Sequence, residues 1–478
     1  MQAVADVDRH HENGKLQKEE SPMTSLSSRR VFLKKTLQAT GAALAASRPG
    51  LKFCHAVPTT VPKFYWGVGI ENCWIAQTDP QRDGNRRLLD VFLQMQHYEK
   101  WKEDLDLVKE VGFNTIRYSI PWYKAEPKPG VYDWSWIDKP VEYLVDKLKV
   151  VPIMDLIHYG TPAWMADGPI DQRFPEAIAR YAGAMAAHFK GLVNHYSPHN
   201  EPGLTCQFCG LLGRWPPYAR TIESWAKIGT RVAKGMILEM EAIRQALADA
   251  VIVSVDPFFY GVVDRYLPPA RGDDPARQQL LRAAASYPAS LAYGKIASGH
   301  PFAQFLIEHG VSEAELGWFL SHGKTPDILG CNCYPPLHES AADAPAKRSL
   351  AQAAVEAVQL VKRTILDAQT YFNLPVYLTE TSAGDTDAAK IAYINALYGM
   401  VQDLRRERVP IVGVNWWPLF ETIQWDYREN PDKPLIDFIY PGIWNHGLYR
   451  ISPQADGNLK RVPTQAVQAY REVLSRER

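Results

Sequence analysis

The chain has 478 residues, 53 of them Lys or Arg and 53 Asp or Glu, with 46% hydrophobic and 22% charged residues. Zero formal net charge lacks the basic excess of a nucleic-acid-binding surface, and so hydrophobic a chain is not a disordered one. Aromatic residues make up 11%, with 14 Trp and 23 Tyr, enough to fill a large core and equally suited to stacking on the apolar faces of sugar rings.

Residues 1–22 are polar and unpatterned, which predicts a disordered extension, or a mis-assigned start if synthesis begins at Met23. Ser28-Arg29-Arg30-Val31-Phe32-Leu33-Lys34-Lys35 then precedes a small-residue apolar run over 37–46. A basic segment, a short hydrophobic run and Ala-Leu-Ala at 43–45 make an export signal. The paired arginines resemble the S-R-R-x-F-L-K pattern of a twin-arginine signal. That implies a twin-arginine translocase as partner during export and a periplasmic or extracellular location. Residues 23–54 are read as this signal and its linker, and 60–478 as one domain. No apolar run reaches membrane-spanning length, so no stable membrane insertion is expected.

From Lys63 onward β-type runs alternate with amphipathic helical patterns. Strands are predicted over 64–70, 115–119, 151–156, 193–197, 251–255, 328–333, 375–379 and 410–416, and helices over 99–111, 135–148, 175–189, 222–248, 347–372 and 387–407. Eight such repeats predict a single α/β domain, a closed (β/α)₈ TIM barrel with loop and helical insertions. The stretch 257–326 carries helices of its own and reads as an insertion, while a final helix over 464–474 is expected to close the bottom of the barrel.

Catalytic residues of such barrels come from the C-terminal ends of the strands. Glu201, in Tyr196-Ser197-Pro198-His199-Asn200-Glu201-Pro202, follows the fourth strand, and Glu380, in Leu378-Thr379-Glu380-Thr381, follows the seventh. These strands face each other across the mouth. Two carboxyls so placed suit glycosidic bond cleavage, where one protonates the leaving oxygen and the other attacks the anomeric carbon or activates water.

With these glutamates the sequence resembles glycoside hydrolase family 1, as a divergent member, from about Phe64 to Arg450. The resemblance rests on Trp66-Gly67, on His97-Tyr98-Glu99-Lys100-Trp101-Lys102-Glu103-Asp104 (H-Y-x-R-x-x-E-D in the family) and on Arg117-Tyr118-Ser119-Ile120-Pro121-Trp122 (R-F-S-I-x-W). It continues through Leu156-Ile157-His158-Tyr159 (L-x-H-W), His199-Asn200-Glu201-Pro202 (x-N-E-P) and Asp327-Ile328-Leu329-Gly330-Cys331-Asn332-Cys333-Tyr334 (D-F-L-G-x-N-Y-Y). Leu378-Thr379-Glu380 and Trp417-Pro418-Leu419-Phe420-Glu421-Thr422-Ile423-Gln424-Trp425 (W-S-L-x-D-N-F-E-W) complete it. The shared order implies a retaining β-glycosidase acting on a small β-glycoside or oligosaccharide. Glu201 would be the acid/base and Glu380 the nucleophile, with Arg117 and Tyr334 supporting Glu380. Asn200, His158, Asn332, Trp417, Gln424 and Trp425 would contact the sugar.

Departures bear on the substrate. No glutamine stands in Ile70-Glu71-Asn72-Cys73-Trp74, where the family reads the 3- and 4-hydroxyls, and Gln424 replaces a glutamate that clamps the 4- and 6-hydroxyls. Glu71 is either a replacement sugar contact or an ordinary loop carboxylate. Cys206 and Cys209 are read as a local disulfide or a pair of thiols, and Cys331 and Cys333 as unpaired thiols. No phosphate loop, nucleophilic serine motif or H-E-x-x-H pattern occurs, so no cofactor or metal is implied. Two other functions fit the same residues: a transglycosylase using both glutamates, and a carbohydrate-binding barrel that needs neither.

Overall fold

The computed structural model describes residues 62–258, 261–269, 274–337, 349–439 and 446–477. The polar extension and the arginine-pair signal lie outside them. The chain forms a parallel barrel of β1 (Tyr65–Ile70), β2 (Thr115–Ser119), β3 (Val151–Asp155), β4 (His195–Ser197), β5 (two pieces, Val251–Ile252 and Asp256–Pro257), β6 (Leu329–Asn332), β7 (Val376–Thr381) and β8 (Ile411–Trp416). β1 pairs with β2 and β8, so first and last strands are neighbours. β1 and β7 are buried along their whole length. A parallel strand is covered on both faces, which matches the apolar run of β1 and the first half of β7.

Closure depends on β5, which the sequence reads as one strand and the structure divides. Its first piece pairs with β4 and its second with β6. The residues between bridge both sides through Val253↔Ile328 and Asn200↔Val255. The backbone turns over here, and the Ser254 carbonyl comes so close to β6 that a Cβ at Gly330 would lie 1.8 Å from it.

Helices follow the strands in turn. α1 (His97–Val111) follows β1, α2 (Asp138–Glu142, continued by a π turn over Tyr143–Leu148) follows β2, and α3 (Phe174–His188) and α4 (Ile222–Ala246) follow β3 and β4. α4 opens on Thr221, whose hydroxyl accepts from the Ser224 amide, a side-chain cap for an otherwise unpaired N–H. Among the described residues of the predicted insertion after β5 lie four α-helices, α5 (Pro275–Ala285), α6 (Ala289–Ala292), α7 (Pro301–Glu308) and α8 (Glu313–His322). α9 (Leu350–Phe372), α10 (Asp387–Arg406) and α11 (Gln465–Ser475) follow β6, β7 and β8. α11 packs against α10 and α1, and Tyr470 reaches Phe113 and Trp416 at ring separations of 5.0 and 5.6 Å. It therefore completes the helical ring and does not plug the bottom of the barrel. Before it, β9 (Tyr449–Pro453) and β10 (Leu459–Pro463) form an antiparallel hairpin. Arg461 of β10 grips Asp104 of α1 bidentately at 2.7 and 2.8 Å, and Asp104 also takes His97 Nδ1 at 2.7 Å.

Most of the apolar core lies between the strands and this helical ring. Inside the barrel a separate small cluster joins Tyr65, Ile153, Val253, Ile328 and Tyr377. Four of these come from β1, β3, β5 and β7, the alternate-strand layering that fills such barrels. This layer is the floor on which the polar residues above it stand. Gly330→Ala is expected to lower unfolding free energy by about 3 kcal/mol or more, because the carbonyl it would strike is backbone and cannot swing aside. Urea denaturation followed by tryptophan fluorescence measures this, and an unchanged midpoint would show that β5 and β6 can separate there.

Candidate active site

Arg117 lies on β2 with its side chain inside the barrel, fully buried. Its Nη1 donates to Glu380 Oε1 at 2.5 Å and lies 3.2 Å from Glu71 Oε1. Its Nη2 donates to Asn200 Oδ1 at 2.9 Å and lies 3.5 Å from Asp155 Oδ2. A buried guanidinium needs compensating charge, and here three carboxyls share one cation. Burial works against the charge on Asp155, but Arg117, His158 and Ser119 outweigh it and hold the carboxyl below the usual range. Burial, with the charges of Glu380 and Asp155 behind it, drives Glu71 well above that range despite Arg117.

Glu380 is the penultimate residue of β7, and its second oxygen accepts from the Tyr334 hydroxyl at 2.5 Å. Glu201 sits beyond β4. Its backbone has φ 40°, a left-handed conformation uncommon for a residue with a Cβ, and its N–H donates to the Val255 carbonyl at 2.9 Å. The break in β5 thus fixes where Glu201 leaves the barrel wall. Its carboxyl accepts from Tyr159 Oη at 2.6 Å and from Asn332 Nδ2 at 2.9 Å. Burial first, then the charge of Glu380, raises Glu201 to about 7 against those two donors. The two carboxyls therefore differ in kind: Glu380 is tied to a cation, and Glu201 can hold a proton near neutrality.

His158 Nδ1 meets Asp155 at 2.7 Å. Its Nε2 lies 3.3 Å from Asn200 Nδ2. Tyr334 meets Trp417 edge-on at 5.9 Å, and Trp425 packs against Tyr159 at 5.5 Å and Trp215 at 5.3 Å. Gln424 is half-buried and opens the short 3₁₀ turn that carries Trp425. Glu71 is placed beneath the cleft, its side chain wholly buried against Arg117. Neither of its oxygens has an aligned donor from another side chain, and a Cβ at Gly69 would strike them. The structure adds Asp155 and Tyr159 to the residues chosen from sequence. Tyr159 was visible only as a tyrosine where the L-x-H-W pattern has tryptophan. Cys206 and Cys209 are separate buried thiols, Cys206 Sγ lying 3.1 Å from the Pro202 carbonyl. Among the described residues no group of three or more His, Cys, Asp and Glu could hold a metal.

Residues 75–255 match the model of Glycosyl hydrolase family 1, a segment that holds Arg117, His158, Asn200 and Glu201 and stops short of Glu380. Beta-glucosidase A of Thermotoga maritima is 22% identical over 365 residues, covering 69% of this chain and 78% of that protein. Avenacosidase 1 of Avena sativa is 28% identical over 296 residues, and the match spans 54% of this chain but 46% of that protein. Among solved structures, the Thermotoga maritima beta-glucosidase in complex with glucoimidazole superposes with a TM-score of 0.66 at 20% identity, over 87% of this chain and 98% of that one. These matches indicate a glycoside hydrolase. The barrel of this hydrolase is that of the beta-glucosidase structures, with both glutamates at its mouth.

The Glu71 carboxyl gives a stability test. A carboxyl whose folded pKa is raised binds its proton more tightly folded than unfolded, so its contribution falls as pH rises from the ordinary carboxylate range towards neutrality. Glu71→Gln removes that dependence. The variant's unfolding midpoint, relative to the parent, should rise between about pH 4 and pH 8, and a constant difference would mean Glu71 is ionised throughout.

Proposed function

We propose that this hydrolase is a retaining β-glycosidase that releases a terminal β-linked sugar from a small glycoside by double displacement. The observation that carries the reading is the contrast between the two glutamates. Glu380 is held by Arg117 and Tyr334, as a nucleophile must be, while Glu201 is poised near 7, as a residue that serves first as acid and then as base must be. In the first step Glu380 attacks the anomeric carbon as the glycosidic C–O bond breaks, and the Glu201 proton passes to the leaving oxygen. In the second, Glu201 takes a proton from water, whose oxygen attacks the anomeric carbon and releases Glu380. Two inversions leave the β configuration intact.

Trp417 and Trp425 supply apolar faces for the ring. The Asn200 N–H that faces His158 at 3.3 Å is the donor of that amide offered to a sugar hydroxyl. The relatives named as beta-glucosidases support a glucose-like sugar. Gln424, an amide in place of a carboxylate, gives the 4- and 6-hydroxyls one acceptor and one donor group in place of two acceptors. The proposed substrates therefore include sugars related to glucose as well as glucose itself. Export through the twin-arginine translocase to the periplasm or beyond belongs to the same proposal, on the strength of Arg29 and Arg30 in their S-R-R-x-F-L-K setting.

Hydrolysis of a panel of nitrophenyl β-glycosides tests the chemistry. The β-anomer should appear first by proton NMR, and Glu201→Gln should lower kcat/KM by about 10²–10⁴-fold on substrates with poor leaving groups. Glu380→Gln should lower kcat at least as far on every substrate. A parent that binds sugars but cleaves none would make the barrel a binding protein, and α-anomer product would make it an inverting enzyme. For export, replacing Arg29 and Arg30 by Lys should trap the protein in the cytoplasm; unimpaired secretion of that variant would rule the route out.

A further inference from the structure

The two catalytic carboxyls are joined by a continuous path of hydrogen bonds whose direction chemistry alone decides. Arg117 Nη2 donates to Asn200 Oδ1 at 2.9 Å, Asn200 Nδ2 donates to Tyr159 Oη at 3.0 Å, and Tyr159 Oη donates to Glu201 Oε2 at 2.6 Å. A guanidinium cannot accept and an amide nitrogen cannot accept, so the amide of Asn200 has one orientation. The phenol then has its single proton left for Glu201. The other end of the path is Arg117 Nη1 on Glu380. The second Glu201 oxygen accepts from Asn332 Nδ2 at 2.9 Å, and the Thr379 hydroxyl donates to Asn332 Oδ1 at 2.8 Å.

We propose that Tyr159 is a positioning residue for the glycosidase reaction: it carries the hold of Arg117 from the nucleophile to Glu201 and keeps Glu201 an acceptor, ready for its base role. The inference rests on the glycosidase reading of Glu201. The chain places Tyr159 with care. Its backbone has φ 77°, as left-handed as that of Glu201 at φ 40°. Uncommon backbone of this kind persists where surrounding packing over-determines it, and the Tyr159 ring is wedged against His158, Trp215 and Trp425 at 4.7, 4.9 and 5.5 Å.

Its effect opposes the rest of the environment. Burial and the Glu380 charge favour the protonated acid. Asp256 on β5, Cys73 after β1 and Tyr334 on the β6 side also face Glu201, and each would add negative charge on ionising. His158 and the donors Tyr159 and Asn332 act the other way. Without the phenol, Glu201 would keep its proton to higher pH. It would still serve as an acid, but the water-activating half of the cycle would suffer.

Tyr159→Phe removes one oxygen and keeps the ring. With glutamate labelled at its side-chain carboxyl carbon, the Glu201 signal is assigned by its loss in Glu201→Gln and followed against pH by NMR. The variant should titrate about one pH unit or more above the parent, the effect of losing one donor to a charged group. The alkaline limb of kcat/KM should move up with it, and kcat should fall on dinitrophenyl glycosides, whose cleavage leaves the base step limiting. An unchanged Glu201 titration in a folded variant overturns the proposal while leaving the glycosidase reading intact. Should the phenylalanine variant fail to fold, 3-fluorotyrosine placed at 159 makes a stronger donor and should shift the titration downward; no downward shift overturns the proposal equally. Because the titration needs no turnover, a parent that shows these shifts yet cleaves no glycoside sinks the glycosidase reading and leaves the hydrogen-bond chain standing.

Discussion

One buried cation organises the mouth of this barrel. Arg117 projects from β2, yet its contacts arrive from the end of β1 (Glu71), from β3 (Asp155), from beyond β4 (Asn200) and from β7 (Glu380). A guanidinium presents a rigid planar fork, so groups that meet it must take up fixed mutual positions. The strand ends are thereby registered against one another by charge as well as by the ladder. Removing the arginine would leave three buried carboxyls without their shared cation, and their repulsion would act on every element that carries them. The same crowding explains why the acids here cannot all be ionised: Asp155 has two further side-chain donors in His158 and Ser119, while Glu71 has no side-chain donor beyond the arginine.

Much of the architecture was legible because a parallel barrel writes two periodicities into its chain in strict alternation. β2 occupies the predicted residues 115–119, and the other strands, β5 excepted, fall within a few residues of their apolar runs. β5 was not legible in full. Val251 to Val255 is apolar throughout, and nothing in that composition says that the strand changes partners half-way. The change is set by backbone geometry at Ser254 and Gly330, which only the assembled sheet supplies. Its consequence reaches the site, since the Val255 carbonyl freed there anchors Glu201.

Within the site, the strand-end glutamates were legible from position, and their partners from motif order. What motif order hid was division of labour. Asp155 ends β3 in Ile153-Met154-Asp155-Leu156, where a lone acid in an apolar run reads as a strand terminus; only the arginine arriving from β2 gives it a role. Glu71 faces inward because Gly69 leaves room for it, a steric fact with no linear signature. Conversely, His97 and Asp104, part of the same family pattern, serve no chemistry here: His97 Nε2 meets the Tyr118 hydroxyl at 2.8 Å, and Asp104 is consumed by Arg461.

That last pair has a bearing on how the molecule is made. Asp104 and Arg461 are separated by 357 positions, and α1, which carries the acid, emerges early in synthesis. Until the terminal hairpin leaves the ribosome, the acid has only His97 and water, and the seam between the helices after β7 and β1 lacks α11. Contacts of such long range are closed late and cooperatively. Attachment of this hairpin therefore comes late in folding, and a chain cut before β9 would display an open seam and an unanswered carboxylate.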